Sequence, residues 1–180
     1  MSKAQSIENL REAKQILDEL DLPFFLCLGT ALGAYRDHDF CEGDEGDIDL
    51  GLHKDYYIFA EDIKELFFKG GFVLRGQYEH PLNIAPELSF TRNDCHVDIF
   101  FFTPIEDMFA WTFYSEPPQV RMIDNFFEKF DDIEFFGMQF KVPSPIESYL
   151  EANYGDWKTP IASKDWSWAE DNECPILYQK

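Results

Sequence analysis

Asp47-Ile48-Asp49-Leu50-Gly51-Leu52 alternates with a period of two: Asp47, Asp49 and Gly51 project to one face of an extended chain, and Ile48, Leu50 and Leu52 to the other. This is a strand with an apolar back and a front bearing two carboxylates about 7 Å apart at the backbone, within reach of one cation between them. His96-Val97-Asp98-Ile99-Phe100-Phe101-Phe102 repeats the pattern, sending His96, Asp98 and Phe100 to one face. An Asp-x-Asp pair alone is usually a solvated strand face. A charge inside so apolar a run is costly unless it is paired or does chemistry. If the two strands are neighbours, three carboxylates converge. They then raise one another's pKa values unless a divalent cation neutralises them, and an all-oxygen site of this kind suits Mg²⁺ or Mn²⁺ set against substrate phosphates. A calcium loop starting at Asp47 is excluded, because Leu52 stands where that loop needs Gly and Ile58 where it needs Glu.

Upstream, Phe24 to Leu28 is a continuous apolar run, expected as a strand buried on both faces. Gly29 follows it, and Thr30 is placed to cap a short helix through Tyr35 and Arg36. A glycine that admits close backbone approach, free amides at a helix start and a hydroxyl make an anion site, so Gly29 and Thr30 are candidates for phosphate, with Arg36 supplying positive charge. Before them, Ile7, Leu10, Ala13, Leu17 and Leu20 recur at helical spacing until Pro23, predicting an amphipathic helix over 2–20. After Asp47–Leu52, a polar stretch at 37–46 having served as loop, the pattern predicts a helix over 55–69, stopped by Gly70 and Gly71. Strands are expected at 72–75, 82–91 and 96–102, with Pro86 marking the second as an edge or bulge. A hairpin over 133–142 should turn at Gly137, and a helix over 145–154 should carry Pro145 in its first turn. The stretch 106–130 has no clear period, and residues from about 155 to 180 are expected to be irregular. The fold class is therefore α/β (α+β), a small mixed β-sheet with helices packed against it, in one domain over 1–180.

The 180 residues allow a real core, and 19 Phe, 8 Tyr and 4 Trp give it an aromatic character. Against 35 Asp+Glu there are only 15 Lys+Arg, a net charge of −20. Such a surface repels polyphosphate, which argues against non-specific nucleic-acid binding and against resting on anionic lipid. A phosphorylated substrate must be met by a few placed cations or a bound metal. No apolar stretch is long enough for a membrane span and no signal layout opens the chain, so the expected location is cytoplasmic. Cys27, Cys41, Cys95 and Cys174 form no CxxC pair, so reduced thiols are expected.

The series Gly29-Thr30-Ala31-Leu32-Gly33-Ala34-Tyr35-Arg36, Asp47-Ile48-Asp49-Leu50-Gly51 and Val97-Asp98-Ile99-Phe100, closed by Val142-Pro143, Tyr149-Leu150-Glu151, Tyr154-Gly155-Asp156-Trp157 and Pro160, resembles the LicD/fukutin family of the nucleotidyltransferase-fold superfamily. The resemblance spans roughly residues 24 to 160 and rests on order and spacing. It implies the nucleotidyltransferase fold and a metal-dependent transferase moving a phosphoryl-linked group, such as phosphocholine or a polyol phosphate, from a CDP-activated donor to a sugar or glycan hydroxyl. By position, Asp47, Asp49 and Asp98 would be the catalytic and metal-binding residues with Mg²⁺ or Mn²⁺, Asp98 also orienting or deprotonating the acceptor. Gly29, Thr30 and Arg36 would take donor phosphate. One departure stands out: members commonly carry a Trp and a run of Asp before the Ile-Asp step, whereas this chain has Cys41-Glu42-Gly43-Asp44-Glu45-Gly46-Asp47, with Gly46 in place of a carboxylate.

Two other functions fit the same residues. One is an NTP-dependent nucleotidyltransferase moving NMP to a small molecule, an RNA end or a protein; the other is a catalytically silent binding module using an acidic, aromatic surface. His96, Tyr154 and Trp157 are further candidate substrate contacts, and Trp166 and Trp168 could line a nucleotide or sugar pocket. Lys54, Lys141 and Lys158 are phosphate candidates only because cations are scarce.

Overall fold

The computed structural model describes residues 2–78, 86–113, 119–161 and 176–177. Helix α1 (Lys3–Glu19) opens with a capping box, in which the Ser2 hydroxyl accepts from the Gln5 amide and the Gln5 side chain accepts from the Ser2 amide. Leu10, Ala13, Ile16 and Leu17 form its buried stripe. Strand β1 is shorter than the apolar run predicts, Phe25–Leu26, although residues 24 to 28 are all buried. The chain leaves the strand early because Leu28 takes a positive φ of 45° and donates its amide to the Tyr149 hydroxyl (3.1 Å). Helix α2 (Leu28–Leu32) is consequently capped at Cys27 and not at Thr30, and continues as a π-helical turn over Gly33–Asp37.

Strand β2 (Asp47–His53) matches its alternation, followed by a 3₁₀ turn (Lys54–Phe59) and α3 (Ala60–Lys69), which together fill the predicted helix. Strands β3 (Val73–Tyr78), β4 (Glu87–Arg92) and β5 (Cys95–Ile105) come next. Pro86 lies just before β4, where its missing N–H costs no ladder bond and its carbonyl accepts from Phe101. The edge reading of that strand is corrected, since β4 lies between β3 and β5. The region without a clear period contains β6 (Met108–Phe113) and β7 (Gln119–Asp124). The hairpin is β8 (Phe130–Phe135) with β9 (Met138–Pro143), turning at Phe136 and Gly137. Pro145 is the N-cap of α4 (Ile146–Tyr154) and not its first residue. Where irregular structure was expected, Ile176–Leu177 form β10 against β7; Trp166, Trp168, Cys174 and His80 lie outside the described residues.

The main sheet runs β1-β2-β5-β6-β7-β10, with β4 and β3 branching from β5. Its centre is the parallel pair β2–β5, in which Asp47 faces His96, Asp49 faces Asp98 and Gly51 faces Phe100. On the back, Ile48, Leu50, Leu52, Val97 and Ile99 are fully buried with Leu10, Ala13 and Leu17 of α1 and Ile63 and Phe67 of α3. On the front, beyond Gly51, the Phe25 ring occupies the space a side chain at 51 would need, with nearest ring atoms at 2.2 Å from a Cβ position. That ring joins Phe102, Phe127 and Phe130 at centroid distances of 4.9 to 5.6 Å and closes the front face at this end. Cys27, Cys41 and Cys95 are free, and no helix among the described residues is long and apolar enough to cross a membrane.

Phe67 fills the centre of the back layer, fully buried, stacked on Phe90 at 4.3 Å and tilted against Phe72 at 4.9 Å. Phe67→Ala is expected to lower the unfolding free energy by about 3–5 kcal/mol, read from the urea midpoint at unchanged slope.

Candidate active site

Three hydrogen bonds of Thr30 set the site's frame. Its amide donates to Asp49 Oδ2 (3.3 Å), and its hydroxyl accepts from the Asp49 amide (2.8 Å) while donating to the Asp47 carbonyl (3.5 Å). The residue expected to greet phosphate is thus engaged behind the carboxylates, locking α2 to β2. It does not line the adjoining cleft, whereas Gly29 does. A Cβ at position 29 would stand 2.8 Å from Asp44 Oδ2 and 3.2 Å from Asp49 Oδ2, so the glycine leaves the carboxylates room beside the backbone.

Asp47, Asp49 and Asp98 each offer a carboxylate oxygen within 4.8 Å of the others. Ser89, facing Asp98 across β4–β5, donates its hydroxyl to Asp98 Oδ1. Asp47 Oδ1 is buried without a hydrogen-bond partner. Burial is the first cause of raised pKa values throughout this group. It pushes Asp98 up to about 7, with Asp47 adding to the rise. Asp49 goes well above the ordinary carboxylate range through burial and then the charges of Asp47, Asp44 and Asp98. Asp47 is also raised by burial, with His96 and Arg75 pulling the other way. Three hard oxygens converging on one point, one of them orphaned, is a donor set that fits a divalent cation.

The carboxylates open into a cleft of about 460 Å³. Of the predicted contacts, Gly29, Arg36, Tyr154 and Trp157 line it. The Arg36 guanidinium is held in place by two bonds to Asp37 (2.9 and 2.7 Å) and one to the Trp157 carbonyl (3.0 Å). The Trp157 ring packs on Tyr35 at 5.6 Å and lies under Lys158. His96 does not line the cleft; its Nδ1 lies 3.2 Å from Arg75 and its amide donates to the Gly46 carbonyl (2.6 Å). Lys141 pairs with Asp132, away from the site.

Among the cleft-lining residues that sequence reasoning missed are Asp44, Arg75, Tyr78, Glu87 and Trp111. Arg75 sits where the β3–β4 register slips between Leu74 and Gly76, and a bulge is the device that re-aims a side chain. Glu87 carried a readable signal, because Glu87 and Ser89 alternate with Leu88 and Phe90 as the Asp strands do. Burial, then Asp98 and Asp47, drive the Glu87 carboxyl up to about 9, while burial, Asp47 and Glu45 take Asp44 to about 6.

The description LicD/FKTN/FKRP, nucleotidyltransferase domain, matches residues 21–145. Over 175 residues the sequence is 34% identical to ribitol-5-phosphate transferase FKTN of Homo sapiens and 35% identical to that of Mus musculus. These alignments cover 93% of this chain and 36% of theirs, so the chain spans about a third of the length of the curated relatives it matches. A solved structure, the solution structure of the antibiotic-resistance factor ANT(2'')-Ia, overlaps at a TM-score of 0.44 and 15% identity, covering 60% of this chain and 52% of that one. That likeness is too distant to carry an argument.

Asp44, Asp98 and Glu87 are acids whose folded pKa values exceed their unfolded ones, so the folded chain binds more protons. Stability is then greatest at acid pH and declines as pH rises from about 4 through the folded values of about 6, about 7 and about 9. In chelator, the Tm is expected to fall from about pH 5 to about pH 8, and Asp98→Asn should flatten that fall and raise the Tm at the alkaline end. Adding Mg²⁺ or Mn²⁺ should restore the wild-type Tm at alkaline pH and leave Asp98→Asn or Asp49→Asn unmoved. Scanning fluorimetry across the pH series reads all of these.

Proposed function

The chain belongs to the LicD/FKTN/FKRP family, and from that membership we propose that it is a metal-dependent transferase moving a phosphoryl-linked group from a CDP-activated donor to a sugar or glycan hydroxyl. The observation that carries the reading is the convergence of Asp47, Asp49 and Asp98 at the mouth of a cleft with an arginine on one flank. The relatives' name, ribitol-5-phosphate transferase, favours a polyol phosphate as the transferred group over phosphocholine. Asp47, Asp49 and Asp98 would hold Mg²⁺ or Mn²⁺. When bound, the ion neutralises the carboxylates and polarises the phosphoryl oxygens.

The residues of the chain do the rest. Gly29 lines the cleft where donor phosphate would lie, and Arg36, fixed by Asp37 and the Trp157 carbonyl, presents positive charge on that flank. Tyr154 and Trp157 line the same side and exclude water from it. Thr30 positions Asp49 through its amide and hydroxyl. Asp98, placed by Ser89, accepts the proton of the acceptor hydroxyl as its oxygen bonds to the β-phosphorus and the bond to the bridging oxygen breaks, releasing CMP. In this arrangement the protein orients and neutralises, and supplies little covalent chemistry.

Donor use separates this reading from NTP-dependent nucleotidyl transfer. With Mg²⁺ or Mn²⁺, CDP-ribitol or CDP-choline and simple glycosides, CMP release is the expected product; release of pyrophosphate from labelled NTPs with CDP donors untouched would overturn it. Asp98→Asn should lower kcat on the order of 10²–10⁴-fold, the usual span for a lost general base. Asp47→Ala with Asp49→Ala should abolish both turnover and the calorimetric heat of Mg²⁺ binding. Heat unchanged in that double variant would leave the silent binding module as the better account.

A further inference from the structure

Glu87 is one of the titratable side chains lining the cleft, with Asp44, Arg75 and Asp156, to which the transfer chemistry above gives no task. It is only 4% exposed, it lines the cleft, and its Oε2 is buried without a hydrogen-bond partner. Strand register fixes where it stands. Asp49, Asp98, Ser89 and Gly76 form one row across β2, β5, β4 and β3, and Gly51, Phe100, Glu87 and Tyr78 form the next. Glu87 therefore lies one row beyond the carboxylate triad and on the far side of β5 from Gly29 and Arg36. An unpaired buried carboxylate is strongly unfavourable unless donor groups complete it. Arg75 pulls on it, less than burial and the neighbouring acids push.

The surroundings indicate what kind of ligand completes it. A phosphate beside Glu87 would add negative charge to a region already crowded by Asp47, Asp49 and Asp98, the same crowding that, with burial, holds the Glu87 carboxyl up to about 9. The walls are aromatic: Phe100 and Trp111 meet edge to face at 5.8 Å and both line the cleft. Tyr78 faces Glu87 across β3–β4, and its ring crosses Gly76 so closely that a Cβ there would lie 2.5 Å from it. One buried carboxyl among rings suits a neutral polyhydroxylated ring, whose hydroxyls hydrogen-bond with the carboxyl while its C–H faces pack on the aromatics.

We infer that Glu87, with Tyr78 and Trp111, forms the acceptor subsite, accepting hydrogen bonds from the hydroxyls of an uncharged sugar and holding it on the opposite flank of the triad from the donor phosphates. The inference rests on the transferase reading and deepens it. Glu87 takes no proton and forms no bond in the transfer; it is a specificity residue, selecting neutral acceptors over phosphorylated ones.

The test uses the full chain with Mg²⁺ and two probes. CMP, the donor-side fragment, is titrated by calorimetry, and a panel of methyl glycosides of glucose, galactose, mannose, N-acetylglucosamine and N-acetylgalactosamine is followed by saturation-transfer NMR in the presence of CMP. Wild type should bind CMP and at least one glycoside. Glu87→Gln, which keeps the shape, should weaken that glycoside about tenfold or more while leaving CMP affinity within about twofold. Tyr78→Leu, on the outer strand β3, should weaken the glycoside in the same direction and serves as a second variant should position 87 disturb folding. CMP weakened in step with the glycoside, glycoside binding unchanged, or a sugar phosphate bound better than its parent sugar would each overturn the assignment. CMP bound with no glycoside bound by wild type removes the acceptor subsite alone, whereas failure of wild type to bind CMP with Mg²⁺ removes the transferase reading beneath it.

Discussion

The in-register pairing of β2 with β5 is the constraint on which the rest of the molecule depends. It sets Asp49 directly opposite Asp98, with Asp47 one step away on the same face. Two unit charges about 4 Å apart repel by about 4 kcal/mol at an effective dielectric of 20. Nothing on the front face offsets that fully. The offset is on the back, where Ile48, Leu50, Leu52, Val97 and Ile99 are completely buried. At about 1.5–3 kcal/mol for each buried aliphatic side chain, the back face outweighs the repulsion of a carboxylate pair. The same alternation enforces both. A slip of one residue would turn the aliphatics to solvent and the acids into the core, so the apolar packing that stabilises the sheet also holds the acids in register.

The cleft in front of this pair is chemically asymmetric. Arg36 and Trp157 lie toward α2, and Glu87, Tyr78 and Trp111 lie beyond β5. In a chain of net charge −20, long-range attraction of an anionic donor is absent, so recognition must be short-range and directional. Arg36 suits that task because its guanidinium is already oriented by Asp37 and the Trp157 carbonyl before any ligand arrives. Arg75 is placed by a different device, a bulge in β3 next to a chain of acids, where it offsets the charges of Asp47, Asp98 and Glu87. Two arginines on two flanks leave the triad between them as the region of highest negative charge, the place for a cation.

Much of this was legible in the sequence wherever a period of two or 3.6 coincided with a chemical change. Residues 47–52 and 96–102 declared both their strands and their acids, and the helices over 2–20, 55–69 and 145–154 declared their apolar stripes. The illegible parts have physical causes. Thr30 looks like a cap, but with Leu28 at positive φ the helix starts three residues sooner, capped at Cys27, and the threonine turns onto Asp49. The hairpin of β5 and β6 turns at Glu106 and Asp107 without a glycine, so no turn residue marked it in the region 106–130. Glu87 escaped notice because Pro86 suggested an edge strand, where a glutamate is unremarkable. In the interior of the sheet it is a buried acid.

The approach to β2 shows how a loop can add to such a site. Gly46 contributes its carbonyl, which accepts from the His96 amide where the β2–β5 ladder begins. Two residues before it, Asp44 lines the cleft, and its Oδ2 shares with Asp49 Oδ2 the space left open beside Gly29. Its amide is anchored to the Cys41 carbonyl and its own carbonyl accepts from the Asp47 amide, so the loop holds Asp44 against the start of β2. The loop thereby delivers a further carboxylate to the edge of the triad, on the side of Gly29.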